Sequence, residues 1–237
     1  MNNPKQIGSN LIDCVPQEGP CPNDCNQCYY NICFYAGHKP VVPTPLESVG
    51  KIVRMNSGHD SNIQKDLVLE TAKQYKDVFF NTSIPDFEFP GPVVYTINPE
   101  EEKPIEYLDW ELKDPRIMFV RIRVSATNYK YVSYFADRIT HDLNVPVVLT
   151  LMRYKTLDEN IKNYRNNYVQ KQHISNEWYV PTAPLIHTIM TEPRVYRNKL
   201  IHMCGSFDSD LCKDCGLCEA YYKITKKRLE LTKQLKG

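Results

Sequence analysis

No run of apolar residues in this 237-residue chain approaches the roughly 20 that a membrane-spanning helix needs. The opening stretch, Met1 to Cys14, has no apolar segment behind a basic start, so no secretory leader is expected and the chain reads as cytoplasmic, with no membrane partner. Charge of one sign is not in excess either: 29 Lys and Arg oppose 28 Asp and Glu, for a net +1 at pH 7. That balance gives no global field to steer the protein toward nucleic acid, so a charged partner has to be met by a local patch. There is no internal repeat and no linker long enough to separate large domains. Disorder is excluded by a composition that is 42% hydrophobic and 24% charged, enough for one substantial core.

What is present begins with short β-rich runs that alternate with helical patterns, the signature of βα units around a parallel sheet. Strands are expected at Ile7–Cys14, Lys51–Met55, Val78–Ser83, Val93–Ile97, Ile117–Ser125, Pro146–Leu151 and Lys199–Cys204. Helices are expected at Ser61–Tyr75, at Lys130–Leu143 with Val132, Phe135, Ala136, Ile139 and Leu143 at helical spacing, at Leu157–Gln172 with Leu157, Ile161, Tyr164 and Tyr168 on one face, and at Ala220–Leu235. Ile84–Pro92, rich in proline, and Asn98–Pro115, with Glu100, Glu101 and Glu102 in succession, read as loops. The basic runs Lys223–Arg228 and Arg153–His173 read as charged, solvated helix faces.

Cysteine is abundant, with nine in the chain. In a reducing compartment thiols stay free, so metal binding explains them better than disulfides. Seven fall into two tight groups: Cys21, Cys25 and Cys28, then Cys204, Cys212, Cys215 and Cys218. Cys14 sits in an apolar strand and reads as a buried small hydrophobe, and Cys33 stands five positions after the first group. The C-x3-C-x2-C spacing of the first group can supply three corners of a cubane 4Fe-4S cluster and leave one iron without a protein ligand. A zinc knuckle, or a closed cluster that takes Cys33 or Cys14 as fourth ligand, is the structural alternative.

This spacing, directly after a strand near the amino end, resembles the signature of the radical S-adenosylmethionine (radical SAM) superfamily, although Gln27 stands where that family usually has an aromatic residue. The resemblance implies an α/β fold, a partial (β/α)6 TIM-like barrel over residues 1–203, with a small cysteine-rich extension over 204–237. It also implies an enzyme in which the open iron binds S-adenosylmethionine and passes it one electron, giving a 5′-deoxyadenosyl radical that takes hydrogen from a substrate, with no catalytic side chain beyond the cluster. Contacts to the cofactor are then expected from Asn56, Ser57, Gly58 and Asp60 after the second strand, where Asp60, or Ser57 and Asn56, would face the ammonium group. Arg123 and Ser125 are expected at the ribose, and Thr150 or Met152 at the rim near the adenine. A Gly turn capped by Asp and an ordinary helix cap are the structural readings of Gly58–Asp60 and Ser125.

The second group, C-x7-C-x2-C-x2-C, resembles the auxiliary clusters that many members of that superfamily carry, so a second 4Fe-4S cluster is expected at Cys204, Cys212, Cys215 and Cys218. A structural zinc is the alternative there. A flavodoxin- or ferredoxin-type electron donor is the implied partner, and a peptide, a tRNA or DNA would fit as substrate of a small chain without a substrate domain. Readings from other classes are a non-catalytic iron-sulfur electron carrier and a zinc-stapled binding protein.

Overall fold

In a computed structural model of the chain, the described residues are 3–23, 39–99, 111–157, 159–173, 176–205, 209 and 211–235. Val, Ile and Phe dominate the runs that become strands, because branched and aromatic side chains pack well on a pleated surface. These strands are β1 (Leu11–Cys14), β2 (Ile52–Met55), β3 (Val78–Thr82), β4 (Val93–Ile97), β5 (Ile117–Val124), β6 (Val147–Leu151), β7 (Tyr168–His173), β8 (Asn176–Pro181) and β9 (Ile201–Met203). Seven of them form one sheet in the order β1-β2-β3-β4-β5-β6-β9, while β7 and β8 pair as a separate antiparallel hairpin. Every neighbouring pair in the large sheet is parallel. The protein is therefore α/β, as the alternation of elements predicts.

Seven helices accompany the strands among the described residues: α1 (Lys65–Ala72), α2 (Tyr129–Leu143), α3 (Glu159–Lys162), α4 (Ala183–Met190), α5 (Pro193–Tyr196), α6 (Cys212–Cys215) and α7 (Leu217–Gln234). In α2 the apolar residues Val132, Phe135, Ala136 and Ile139 recur every three or four positions and are all buried, and the helix stops at Asn144, which takes a left-handed conformation with φ 54°. Gly216 (φ 63°) turns the chain between α6 and α7 in the same conformation, at little cost for a residue without a Cβ.

The pleat sends alternate residues to opposite faces and so divides the core in two. On one face Val53, Met55, Phe80, Val120, Ile122, Val147 and Leu149 pack against Val68 and Ala72 of α1 and the buried stripe of α2. On the other, Leu11, Ile52, Phe79, Val94, Phe119 and Val148 pack with Tyr222 of α7, joined by Cys212, Leu217, Cys218 and Tyr221. The C-terminal segment thus covers the second face, called the tail face below. Polar contacts fasten it as well: Asp77 accepts from Tyr222 Oη (3.0 Å) and Lys226 Nζ (2.6 Å), and Arg228 Nη2 donates to the Ile117 carbonyl (2.6 Å). Part of the basic run read as a solvated helix face is therefore structural.

All seven expected strands form, with ends displaced by a few residues. The first is shorter than expected, because Ile7 is 67% exposed and the chain before Leu11 turns instead of extending. The sheet has seven strands where a six-stranded partial barrel was expected, and among the described residues its edges β1 and β9 do not pair, so it is open. The helix expected at Leu157–Gln172 is a correction. Only Glu159–Lys162 is α-helical, and the chain passes through a 3-10 turn at Arg165–Asn167 into β7. Of the two expected loops, Ile84–Pro92 carries neither helix nor strand, and Glu100–Glu102 lie outside the described residues.

Candidate functional site

Each of the six strands β1 to β6 places an apolar residue and then, two positions on, a polar one on the tail face: Leu11 and Asp13, Ile52 and Arg54, Phe79 and Asn81, Val94 and Thr96, Phe119 and Arg121, Val148 and Thr150. Because the strands are parallel, the polar members collect toward the carboxyl ends, while the apolar members form the layer that α7 covers. The carboxyl edge of an open parallel sheet is where α/β proteins place their ligands.

At one end of this layer, Asp13 accepts a forked pair of bonds from Arg54, at 2.6 Å from Nε and 3.2 Å from Nη2. Gln6 Nε2 (2.7 Å) and Asn3 Nδ2 (3.0 Å) donate to the same carboxylate. Burial works against ionisation of Asp13, but the Arg54 charge and the hydrogen bonds from Arg54, Asn3 and Ser57 outweigh it and hold the carboxyl below its ordinary value of 3.8. A carboxyl depressed in the folded state adds stability that is complete above its unfolded value and is lost as pH falls through the folded one. Thermal unfolding followed against pH is therefore expected to show a fall in midpoint on acidification below about 3.8. Asp13→Asn should flatten part of that acid limb, and an unchanged limb would assign it to other carboxylates.

At the other end lie the C-terminal cysteines. Cys204 directly follows β9, its amide donating to the Leu149 carbonyl at 2.8 Å. Cys212 and Cys215 bracket α6, and Cys218 lies in the first turn of α7. The Cys204 and Cys215 thiols hydrogen-bond each other, and that bond, with burial opposing it and the charges of Arg121, Lys5 and Arg54 adding to it, lowers the Cys204 pKa. Burial raises the Cys218 and Cys212 pKa values while Arg54 pulls both down, joined at Cys218 by Arg121. Cys204, Cys212 and Cys218 thus interact electrostatically with one another and with Arg54, while Cys215 meets Cys204. Among the described residues, no three His, Cys, Asp or Glu side chains form a group that could hold one metal ion.

Of the first cysteine group, Cys21 is partly buried beyond the carboxyl end of β1, while Cys25, Cys28 and Cys33 lie outside the described residues. The loop's start is tied down nearby, because Asn23 Nδ2 donates to Asp60 Oδ2 and to Ser83 Oγ, each at 3.2 Å. Cys14 is fully buried, as expected, and burial pushes its thiol up to about 12.

The residues expected at the cofactor stand at or just beyond the carboxyl ends of β2, β5 and β6, but their side chains differ in what is left to offer. Asp60 is 2% exposed, and its carboxylate already accepts from the Asn62 amide, Thr82 Oγ1, the Ser83 amide and hydroxyl, and Asn23. It closes a turn, the structural alternative foreseen for it. Ser57 bonds Asp13. Gly58 does not take the left-handed conformation of its turn, which falls on Asn56 (φ 58°). Asn56 is 1% exposed and donates to Ser61 Oγ at 3.2 Å, while its Oδ1 has no hydrogen-bond partner among the described residues. Ser125 Oγ accepts from the Thr127 and Asn128 amides (3.2 and 3.3 Å) in the turn that leads into α2, whose N-cap is Asn128. Arg123 Nη1 donates to Asn98 Oδ1 at 3.3 Å. Thr150 pairs with Arg123 across the ladder, and its buried Oγ1 also has no partner.

No family model, no curated protein and no solved structure matches the chain. Its site has to be judged on its own chemistry. The residues that sequence reasoning missed are Asp13, Arg54, Asn81 and Arg121. Their signal was present in the sequence, as an apolar residue followed two positions later by a polar one in strand after strand.

Proposed function

We propose that the protein is a radical S-adenosylmethionine enzyme with a partial-barrel fold and two 4Fe-4S clusters. The observation that carries the reading is the pairing of the first cysteine loop, anchored through Asn23 at the carboxyl edge of the sheet, with a buried and unpartnered acceptor, Asn56 Oδ1, on the same edge. Support also comes from the strictly sequential order of the parallel strands from β1 to β6, the winding that a βα barrel requires.

When bound, a cluster with one open iron and S-adenosylmethionine supply one-electron cleavage of the sulfonium and a 5′-deoxyadenosyl radical for hydrogen abstraction. Cys21, Cys25 and Cys28 would hold the first cluster. Asn56 Oδ1 is an acceptor of the kind an ammonium group satisfies, since that group offers only donors. Thr150 Oγ1 offers a second open polar atom, on the residue that pairs with Arg123 across the ladder. Asp60 holds Asn23 at the start of the first cysteine segment and leaves ligand binding to its neighbours. The apolar layer closed by Tyr222 and α7 keeps water from the amino half of the tail face. A second cluster at Cys204, Cys212, Cys215 and Cys218 rests on their C-x7-C-x2-C-x2-C spacing alone, since among the described residues their side chains form no group that could hold one metal ion. A flavodoxin- or ferredoxin-type protein would deliver the electron.

Anaerobic reconstitution with iron and sulfide tests this. About eight irons per chain are expected, four for each cluster, together with a reduced spectrum that changes when S-adenosylmethionine is added and release of methionine and 5′-deoxyadenosine. Zinc without iron would overturn the reading in favour of a metal-stapled binding protein, and clusters indifferent to S-adenosylmethionine would leave an electron carrier.

A further inference from the structure

We infer that Arg121 anchors an anion on the tail face: its guanidinium binds an oxyanion, a phosphate or a carboxylate, carried by the molecule on which the enzyme acts. The site stands on the geometry of that face. That its anion belongs to the substrate rests on the function proposed above.

Arg121 lies midway along β5, partly buried, with Thr96 of β4 and Val148 of β6 as its ladder partners. Its Nη1 donates to Asn81 Oδ1 at 3.2 Å, two strands away on β3, so the guanidinium reaches across β4. Asn81 is fixed in turn by a 2.7 Å bond from its Nδ2 to the Met55 carbonyl. The Arg121 Cζ rests 5.8 Å from the centroid of the Phe119 ring, which packs 5.7 Å from Tyr221 of α7. The guanidinium is thus oriented before any ligand arrives, which lowers the ordering cost of binding.

What this guanidinium lacks is an anion. No ion pair among the described residues includes it. Asn81 is neutral and takes one of the five N–H groups, leaving others of the kind that grip an oxyanion in a fork. Asp13 is the one acidic residue in strands β1 to β6, and Arg54 already holds it in a forked pair. Two residues beyond Arg121, with Cα atoms about 6.6 Å apart, Arg123 stands on the same face and donates to Asn98 Oδ1 at 3.3 Å. Thr150, the ladder partner of Arg123, keeps its buried hydroxyl without a partner. A hydroxyl is a donor that an oxyanion accepts from.

The depth of Arg121 separates this site from the cofactor. Asn56, proposed at the ammonium group, follows the end of β2, and Arg123 stands nearer the carboxyl edge of β5. Arg121 is one step deeper, beside the apolar layer of Phe119 and Val148 that Tyr221 and Tyr222 of α7 close. A molecule whose oxyanion sits on Arg121 lies between the edge proposed for the cofactor and that apolar floor, where a radical formed at the edge meets it away from water. The substrate class assigned is a phosphate- or carboxylate-bearing compound.

Calorimetric titration of the reconstituted full chain with inorganic phosphate and, separately, with acetate, at ionic strength held constant by chloride, tests the site. Saturable binding is expected, with phosphate preferred for a phosphate-bearing substrate and acetate for a carboxylate-bearing one. Arg121→Gln should raise the half-saturating concentration about tenfold or more, because it removes hydrogen bonds from a charged group. Arg121→Lys keeps the charge but loses the fork and should weaken binding less. Arg197→Gln, which removes an exposed charge just after α5, should leave it unchanged. Saturating S-adenosylmethionine should leave the anion bound.

No saturable binding, or equal binding by wild type and Arg121→Gln, would mean an adventitious ion only and overturns the assignment while the proposed function stands. Displacement of the anion by S-adenosylmethionine would make Arg121 a ligand of the cofactor's carboxylate and overturns the substrate role alone. Anion binding that depends on Arg121, in protein whose iron and S-adenosylmethionine tests fail, keeps the anion site and removes its substrate role. If Arg121→Gln does not fold by circular dichroism, Arg121→Lys decides: weakened binding supports the assignment, and wild-type affinity overturns it.

Discussion

Cys28→Ala is expected to abolish S-adenosylmethionine cleavage, and Cys33→Ala to leave it intact. Both residues lie outside the described residues, so the expectation rests on ligand number and on the proposed function. Three thiolates at C-x3-C-x2-C spacing leave one iron open for the cofactor, whereas a fourth thiolate from Cys33 would close the site and leave it structural or electron-carrying. Removing one of only three ligands should remove the cluster with it. The measurement is 5′-deoxyadenosine released per chain, beside the iron content of each variant. Loss in both variants would mean a closed site and a carrier, while retention in Cys28→Ala would place the first cluster on other ligands.

Asp60→Ala is expected to destabilise the protein by about 3 kcal/mol, since it strands several buried donors at once and each unsatisfied group costs about 1–3 kcal/mol, softened here by local relaxation. For a chain of this size that corresponds to a fall in Tm of roughly 6–12 °C. The donors are the Ser83 amide at 2.6 Å and hydroxyl at 2.8 Å, Thr82 Oγ1 at 2.8 Å, the Asn62 amide at 2.9 Å and Asn23 at 3.2 Å. The same change removes the bond that holds Asn23, so under the proposed function iron at Cys21, Cys25 and Cys28 should fall while iron at the C-terminal cysteines stays. Thermal unfolding and iron content of the variant check both halves. A variant with wild-type Tm and iron but weakened binding of S-adenosylmethionine would instead make Asp60 a direct ligand of the cofactor.

The hairpin shows where local reasoning failed. Leu157, Ile161, Tyr164 and Tyr168 stand at helical spacing, and within that window nothing argues for a strand. What decides the outcome lies elsewhere: Tyr168–His173 pairs with Asn176–Pro181, Tyr168 packs at 5.3 Å against Tyr154, and its hydroxyl accepts from the Ala126 amide at 3.0 Å. Non-local pairing of this kind overrides weak helix propensity, which three asparagines between Asn163 and Asn167 lower further. The long helices gave no such trouble. In α2 the stripe from Val132 to Ile139 is both locally periodic and buried, so local and global preferences agree.

For the site, the amino-acid sequence by itself determined the seven strands, the spacing of both cysteine groups and, among the described residues, the lack of any helix long and apolar enough to cross a membrane. Each of these is written in a short window, as a periodicity, a spacing or an absence. Only the tertiary structure decided that the C-terminal segment returns to cover one face of the sheet, and that Asp60 is consumed by its own turn while Asn56 and Thr150 keep open polar atoms. Those facts join residues far apart in the chain. They exist only once parallel pairing has aligned the strands, because the side-chain alternation of each strand then falls into register with the next and gathers the polar members at one edge.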